Sequence, residues 1–476
     1  MKLINIFSLI FLLTLSVSCE DNLEEVPLSF FEESNSFNSA ADATSAINGV
    51  YDRLKGVYGM NMINLADLNS DQAEVREDNG GGNEIHKNLF NSGTGLFDGY
   101  FTNSYILIDR ANRVITNVPK ISMDTRLRDQ IVGEAKFLRA LTYFNLVRAF
   151  GDVPLVTAVS NDVVNVQIPR DPADQVYQQI IADLQDAEKT LPVKFTADTE
   201  VGRATVGAAK SILAKVYLTR KDWVNAAAKA KEVIDSKTYS LVEDYRDLFL
   251  PEKENGVEHI FSVQYSCILP KYGSSMAVNF AIYFSYPINL VGGSYQAVPA
   301  HVSSYVRGDY RKDVTIITEK KIANGTVVLS RTGPHVDKYW DPLACGSESA
   351  RNNFLVIRYA DVLLMYAEAL NEAGSPTPDA YVAINLVRAR ARKGSTTTEL
   401  TDLKDLSQSQ FREAVFQERG WELCFEGHRR WDLLRTGKYI DYMKKIGIVA
   451  EPKHLLFPIP VQEIDVNPAL VQNTGY

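Results

Sequence analysis

The chain has 476 residues, 45% hydrophobic and 10% aromatic, with 50 Lys and Arg against 59 Asp and Glu, a net charge of −9. Such a surface repels phosphate backbones and no basic stripe offsets it, which excludes nucleic acid as a partner, while the apolar content is enough to bury a sizeable core. The six His include no pair at helical spacing, and without a CxxC or HExxH run the sequence carries no transition-metal signature and implies no cofactor.

The chain opens with Lys2 and an apolar stretch from Ile4 to Val17, shorter than the roughly 20 residues a bilayer span needs. This reads as a cleaved signal peptide over residues 1–18. Ser16 and Ser18 precede Cys19 as a lipoprotein signal peptidase requires, although Ser16 stands where Leu is usual and Leu15 falls one position early. Cys19 is therefore the expected lipidation site, the alternative being an ordinary secretory leader with an incidental thiol. Glu20, Asp21, Glu24 and Glu25 resemble the acidic tag that addresses bacterial lipoproteins to the outer face of the outer membrane.

Helical periodicity then dominates. Ile47, Val50, Tyr51, Leu54 and Tyr58 share one face, with a companion helix expected from about Asp98 to Val118. Leu127, Ile131, Ala135, Leu138 and Leu141 line a long helix stopped by Gly151 and Pro154, and its partner runs between Asp174 and Thr190. Residues 205–237 and 357–393 each repeat the spacing of a tetratricopeptide helix pair, with Ala226 and Ala230, then Ala367 and Ala380, where two helices approach closely. The predicted fold is mainly α. It is a tetratricopeptide-like scaffold of helical pairs, in a single domain over 19–476, with scaffold at about 39–237 and 357–435 and loop-rich insertions at about 61–97 and 239–353.

The insertions are the functional suspects, because long loops on a rigid scaffold carry binding. The longer one predicts a small β-hairpin turning at Asn324-Gly325 between Val314–Ile322 and Thr326–Arg331. It also holds Tyr265, Tyr272, Tyr283, Tyr286, Tyr295, Tyr305 and Trp340, whose flat faces suit sugar rings, with two or three expected in a sugar platform and most packed as the insertion's core. Tyr272, Tyr286, Tyr295 and Trp340 are the leading platform candidates. Arg76 and Asn83, with Asn88 and Asn91, supply hydrogen-bonding groups in the shorter insertion. Asp67, Asn69, Asp71 and Asp78 echo a calcium-loop spacing, but Gln72 replaces the turning Gly and Asp78 the closing Glu. Cys267, Cys345 and Cys424 cannot all pair, and their wide spacing favours buried free thiols over a bridge such as Cys267–Cys345.

Several blocks resemble the RagB/SusD family. They include Gly133-Glu134-Ala135-Lys136-Phe137-Leu138-Arg139-Ala140 with Phe150-Gly151-Asp152-Val153-Pro154, Arg358-Tyr359-Ala360-Asp361-Val362-Leu363-Leu364, Phe425-Glu426-Gly427-His428-Arg429-Arg430-Trp431-Asp432, and Leu456-Phe457-Pro458-Ile459-Pro460. The resemblance covers most of the chain after the leader and is silent within 61–97 and 250–350. It implies a surface lipoprotein that captures oligosaccharide as a lid over a SusC-like TonB-dependent transporter; some members bind peptides instead. Glu134, Arg139, His428, Arg429 and Asp432 fall inside these blocks and are expected to pair within the scaffold. No carboxylate pair stands out for glycoside hydrolysis, so a binder is favoured over an enzyme, and over a tetratricopeptide-type assembly scaffold.

Overall fold

The computed structural model describes residues 37–159, 167–267, 272–282, 292–322, 325–346, 349–393, 395 and 397–476. The signal peptide and Cys19 lie outside the described residues, as do Tyr283, Tyr286 and Asn324.

The longer helices are α1 (Ala40–Arg53), α2 (Gly95–Asn117), α3 (Thr125–Phe150), α4 (Ala173–Thr190), α5 (Val206–Thr219), α6 (Trp223–Asp235), α7 (Tyr359–Ala373), α8 (Pro378–Arg392), α9 (Gln408–Glu422) and α10 (Arg429–Arg435). Their starts follow local chemistry. Ser39 and Asp42 form a capping box on α1, as Ser407 and Gln410 do on α9, and the side chains of Asp124, Thr205, Asp222 and Thr377 each accept from a first-turn amide. The long α3 stops at Gly151, whose φ of +75° a residue with a Cβ would adopt only under strain. Tyr58 lies beyond α1, because the chain tightens into a 3-10 turn at Leu54–Gly56.

Each helix from α1 to α8 packs on the next, so the expected pairs form one array. The array continues across the long insertion, where α6 lies directly on α7 although more than a hundred residues separate them. Ala226, Ala230 and Val233 on α6 and Ala360, Leu363, Leu364 and Ala367 on α7 are all buried, and small side chains there let the helix axes approach.

Among the described residues eight short strands pair two by two: β1 (Ala73–Val75) with β3 (Tyr295–Ala297), β2 (His259–Val263) with β8 (Phe354–Arg358), β4 (Ile316–Ile317) with β7 (His335–Val336), and β5 (Glu319–Lys321) with β6 (Val327–Leu329), all antiparallel. The β2–β8 pair brings the ends of the long insertion side by side, and β8 runs straight into α7. The hairpin is β5–β6, with Lys321 opposite Val327. Its first strand is shorter than the sequence suggests, because Asp309 caps a helix over Tyr310–Thr315 and Val314 enters the core there.

A disulfide joins Cys267 to Cys345 with their Cα atoms 5.8 Å apart, and Cys424 is buried and free. This corrects the free-thiol expectation for the pair. Folding returns the chain to the same place, beside the Ser274–Ala350 bridge, and sequence distance gives no sign of that.

Beneath the insertion lies a buried ionic cluster in which Arg311, Arg358, Arg388, Arg390 and Lys338 meet Asp309, Glu258, Glu418, Glu422 and Glu426, basic and acidic groups in equal number. Arg358 alone reaches Glu258, Glu422 and Glu426. A second buried set joins Lys215 and Arg419 to Asp361, and Arg419 and Arg435 to Asp432. The block residues do pair: Arg139 with Asp183, Glu134 with Arg203, and Arg429 with Asp71. Burial, then the neighbouring Lys215 charge, lowers His428 to about 3, so its imidazole stays neutral.

Candidate functional site

The two insertions meet at one cleft of about 830 Å³. Strand pairing brings them there. Val75 at the end of β1 lies opposite Tyr295, and the next amide, that of Arg76, donates to the Ser294 carbonyl at 2.9 Å. Arg76 thus emerges from the sheet edge into the cleft. Its Nε and Nη2 donate to the Asp78 carboxylate at 3.0 and 2.7 Å, and these bonds hold that carboxyl below its usual range. Asn83 fixes the turn, its amide donating to the carbonyls of Arg76, Glu77 and Asn79 at 2.9, 3.3 and 2.9 Å.

The opposing wall is the β5–β6 hairpin and the turn after it. Val327 and Leu329, two apart and so on one face of β6, are 51% and 61% exposed. Ile282 and Arg331 complete the rim. Thr332 accepts from the Gln296 amide, which also lies 3.3 Å from Nε2 of His335, and this tethers the turn to β3. Burial lowers His335 to about 4, so the floor is uncharged at neutral pH. The cleft therefore offers apolar faces beside guanidinium, hydroxyl and carboxylate groups, an arrangement suited to a ligand with both apolar faces and hydroxyls.

The sequence candidates divide. Arg76 lines the cleft, with Asn83 directly behind it holding its backbone. Tyr295 is a correction: it is 6% exposed, packs edge-on to Phe280 and donates its hydroxyl to Asn64 at 2.5 Å, so its ring belongs to the core. Tyr272 and Trp340 do not line the cleft; Tyr272 lies under the Lys55 ammonium at 4.4 Å, and half-buried Trp340 lies under Lys320 at 4.3 Å, at the foot of the hairpin. The calcium-spaced residues diverge: Asp67 accepts from the Gly427 amide, Asn69 donates to the Ile85 carbonyl, and Asp71 and Asp78 each take an arginine. Sequence reasoning missed Val327, Leu329 and Arg331, whose one visible signal was their place just after the predicted hairpin turn.

Comparison with known proteins agrees with this architecture. Residues 270–476 match the family model described as "SusD family", and residues 28–218 match one described as "Starch-binding associating with outer membrane". SusD-like protein P2 of Formosa agariphila is 30% identical, over 100% of both chains. Among solved structures, a SusD superfamily protein from Parabacteroides distasonis is 29% identical with a TM-score of 0.81, covering 92% of this chain and 99% of that one. A structure titled a laminarin binding SusD-like protein is 28% identical with a TM-score of 0.80, covering 92% of this chain and 100% of that one. With a relative matched from end to end and the helical array shared with these structures, the chain belongs to the SusD family.

Proposed function

We propose that this protein captures an oligosaccharide in the Arg76 cleft at the outer face of the outer membrane, held there by a lipid on Cys19, and passes it to a SusC-like TonB-dependent transporter. The observation that carries the reading is the juxtaposition of exposed Val327 and Leu329 with the Arg76–Asp78 pair across one cleft. A pyranose ring has an apolar face and an edge of hydroxyls, and such a pair of walls meets both. The relative titled as laminarin binding supports a glycan as ligand. Binding without turnover is favoured, since Asp78 is the one carboxylate among the described lining residues and hydrolysis needs two placed across the bond. A chain anchored outside the membrane needs a conduit for its ligand, which supports the transporter partner.

A panel of glycans and peptides titrated calorimetrically into the purified protein, with products analysed for cleavage, tests this. Glycan binding that weakens in Arg76→Ala and leaves the ligand intact supports it. Binding of peptides only, or catalytic conversion, overturns it.

A further inference from the structure

Three hollows lie in series along the seam between the helical array and the foot of the long insertion, and none shares a lining residue with the Arg76 cleft. The first, of about 290 Å³, runs between residues 193–205 and β2. The second, of about 270 Å³, shares Val201, Gly202, Arg203 and Ser262 with it and reaches Asn48 and Asp52 on α1. The third, of about 240 Å³, shares Lys55 with the second and is bounded by Gly59, Asn61, Tyr265 and Ser275.

Two hydroxyls along the seam have no protein partner among the described residues. Ser262 is 3% exposed, and its Oγ, in the wall common to the first two hollows, makes no hydrogen bond. The Tyr265 hydroxyl faces Gly59, where a Cβ would come within 2.7 Å of it. Gly59 has a φ of +68°, so both its backbone and the space in front of Tyr265 call for glycine. Burial alone raises that phenol. A desolvated hydroxyl left without a partner is costly, and a ligand that supplies one recovers the loss.

Around the second and third hollows the charges cancel locally. Lys55 donates to Asp52 at 3.0 Å, and Arg203 pairs with Glu134 at 2.8 Å. What remains is amide and hydroxyl, the chemistry of a neutral sugar rather than an anion, with Tyr272 at the edge beneath Lys55. We propose that the Lys55–Tyr265 stretch of this seam is a second saccharide site, separate from the Arg76 cleft, that takes neutral sugar units through the Tyr265 hydroxyl and the Asn61 amide. The ligand class rests on the saccharide reading of the Arg76 cleft; the site itself rests on the seam. Two sites on one chain make long glycans bind more tightly than short ones, because the second contact becomes intramolecular.

Neutral hexasaccharides of β-glucan, α-glucan, mannan and xylan, titrated by calorimetry with native mass spectrometry, provide the test. The hexasaccharide that binds is expected at two per chain in the wild type, and at one per chain both in Tyr265→Phe/Lys55→Ala and in Arg76→Ala/Leu329→Ser. Tyr265→Phe keeps the ring and its packing, so unchanged melting is the control for folding. One equivalent in the wild type that Arg76→Ala/Leu329→Ser abolishes, or no effect of Tyr265→Phe/Lys55→Ala, overturns the second site and leaves the cleft reading standing. Failure of every hexasaccharide to bind overturns both.

Discussion

Arg358 donates through Nε and Nη2 to the two carboxylate oxygens of Glu426, at 2.7 and 3.0 Å, and neither side chain has any solvent exposure. Arg358 is the last residue of β8 and Glu426 follows α9, so this bond fixes the foot of the insertion to the C-terminal part of the chain. Cutting it strands a buried charge. Arg358→Ala is expected to cost about 3 to 5 kcal/mol, read as a lower denaturant midpoint; a midpoint within error of the wild type would refute this account of the cluster.

Stability should peak near neutrality: below it the unfolded chain's histidines take protons that buried His428 and His335 refuse, and above it the acids raised by burial lose theirs. Burial raises the Asp67 carboxyl to about 8, and one of its oxygens has no described partner. An acid raised in the fold keeps a proton that the unfolded chain releases near pH 4, so the stability it contributes declines between about pH 4 and about 8. Glu254, also raised to about 8 chiefly by burial, acts in the same direction. Asp361, Glu422 and Asp432 behave oppositely. Burial would raise them, but their cationic partners prevail and hold them below the usual range, so their contribution is present above about pH 4 and lost in stronger acid. Unfolding free energies measured across pH 3 to 9, on roughly that scale of carboxylate titration, should show the maximum, and Asp67→Asn should flatten the alkaline limb. An alkaline limb unchanged in that variant counts against Asp67.

Leu329 and Tyr295 separate wall from core. Leu329→Ser removes an exposed contact and is expected to weaken oligosaccharide binding roughly tenfold, about 1.4 kcal/mol, with melting unchanged. Tyr295→Ala should instead cost about 3 to 5 kcal/mol of stability. The prediction fails if Leu329→Ser binds normally, or if Tyr295→Ala melts like the wild type.

Cys19→Ala should abolish labelling by radioactive palmitate and release the protein from the membrane fraction. Persistent labelling would place the lipid elsewhere.

The Cys267–Cys345 bridge closes a loop with a sequence separation of 78. In Cys267→Ser/Cys345→Ser the expected loss is about 2 to 4 kcal/mol, measured by chemical denaturation. A loss well under that range would mean β2–β8 and the Ser274–Ala350 bridge already restrain the segment.

The helical array was legible because a buried stripe leaves a 3.6-residue period in the sequence, as at Ala226, Ala230 and Val233. The cleft was less so. Arg76 stood out as a charged residue in a polar insertion, but a tyrosine in a strand reads alike whether it faces a ligand or, as Tyr295 does, the core. The hairpin around Asn324-Gly325 was expected to begin its first strand at Val314, while Asp309 and the buried Arg311 impose a helical turn there. Leu329 could be recognised as a wall only once the hairpin was seen standing across from Arg76.

The adjacency of β2 and β8 has an evolutionary consequence. Because the insertion leaves and re-enters the array at neighbouring points, and α6 rests on α7 regardless, its outer loops can lengthen, shorten or be exchanged without disturbing the helices on either side, provided Arg311 and Lys338 stay to pair with Glu418, Glu422 and Glu426. The outer part of the segment between Val263 and Phe354 is thus a natural cassette, and transplanting it between relatives around a retained Arg311 and Lys338 is a route to new ligand preferences on the same frame.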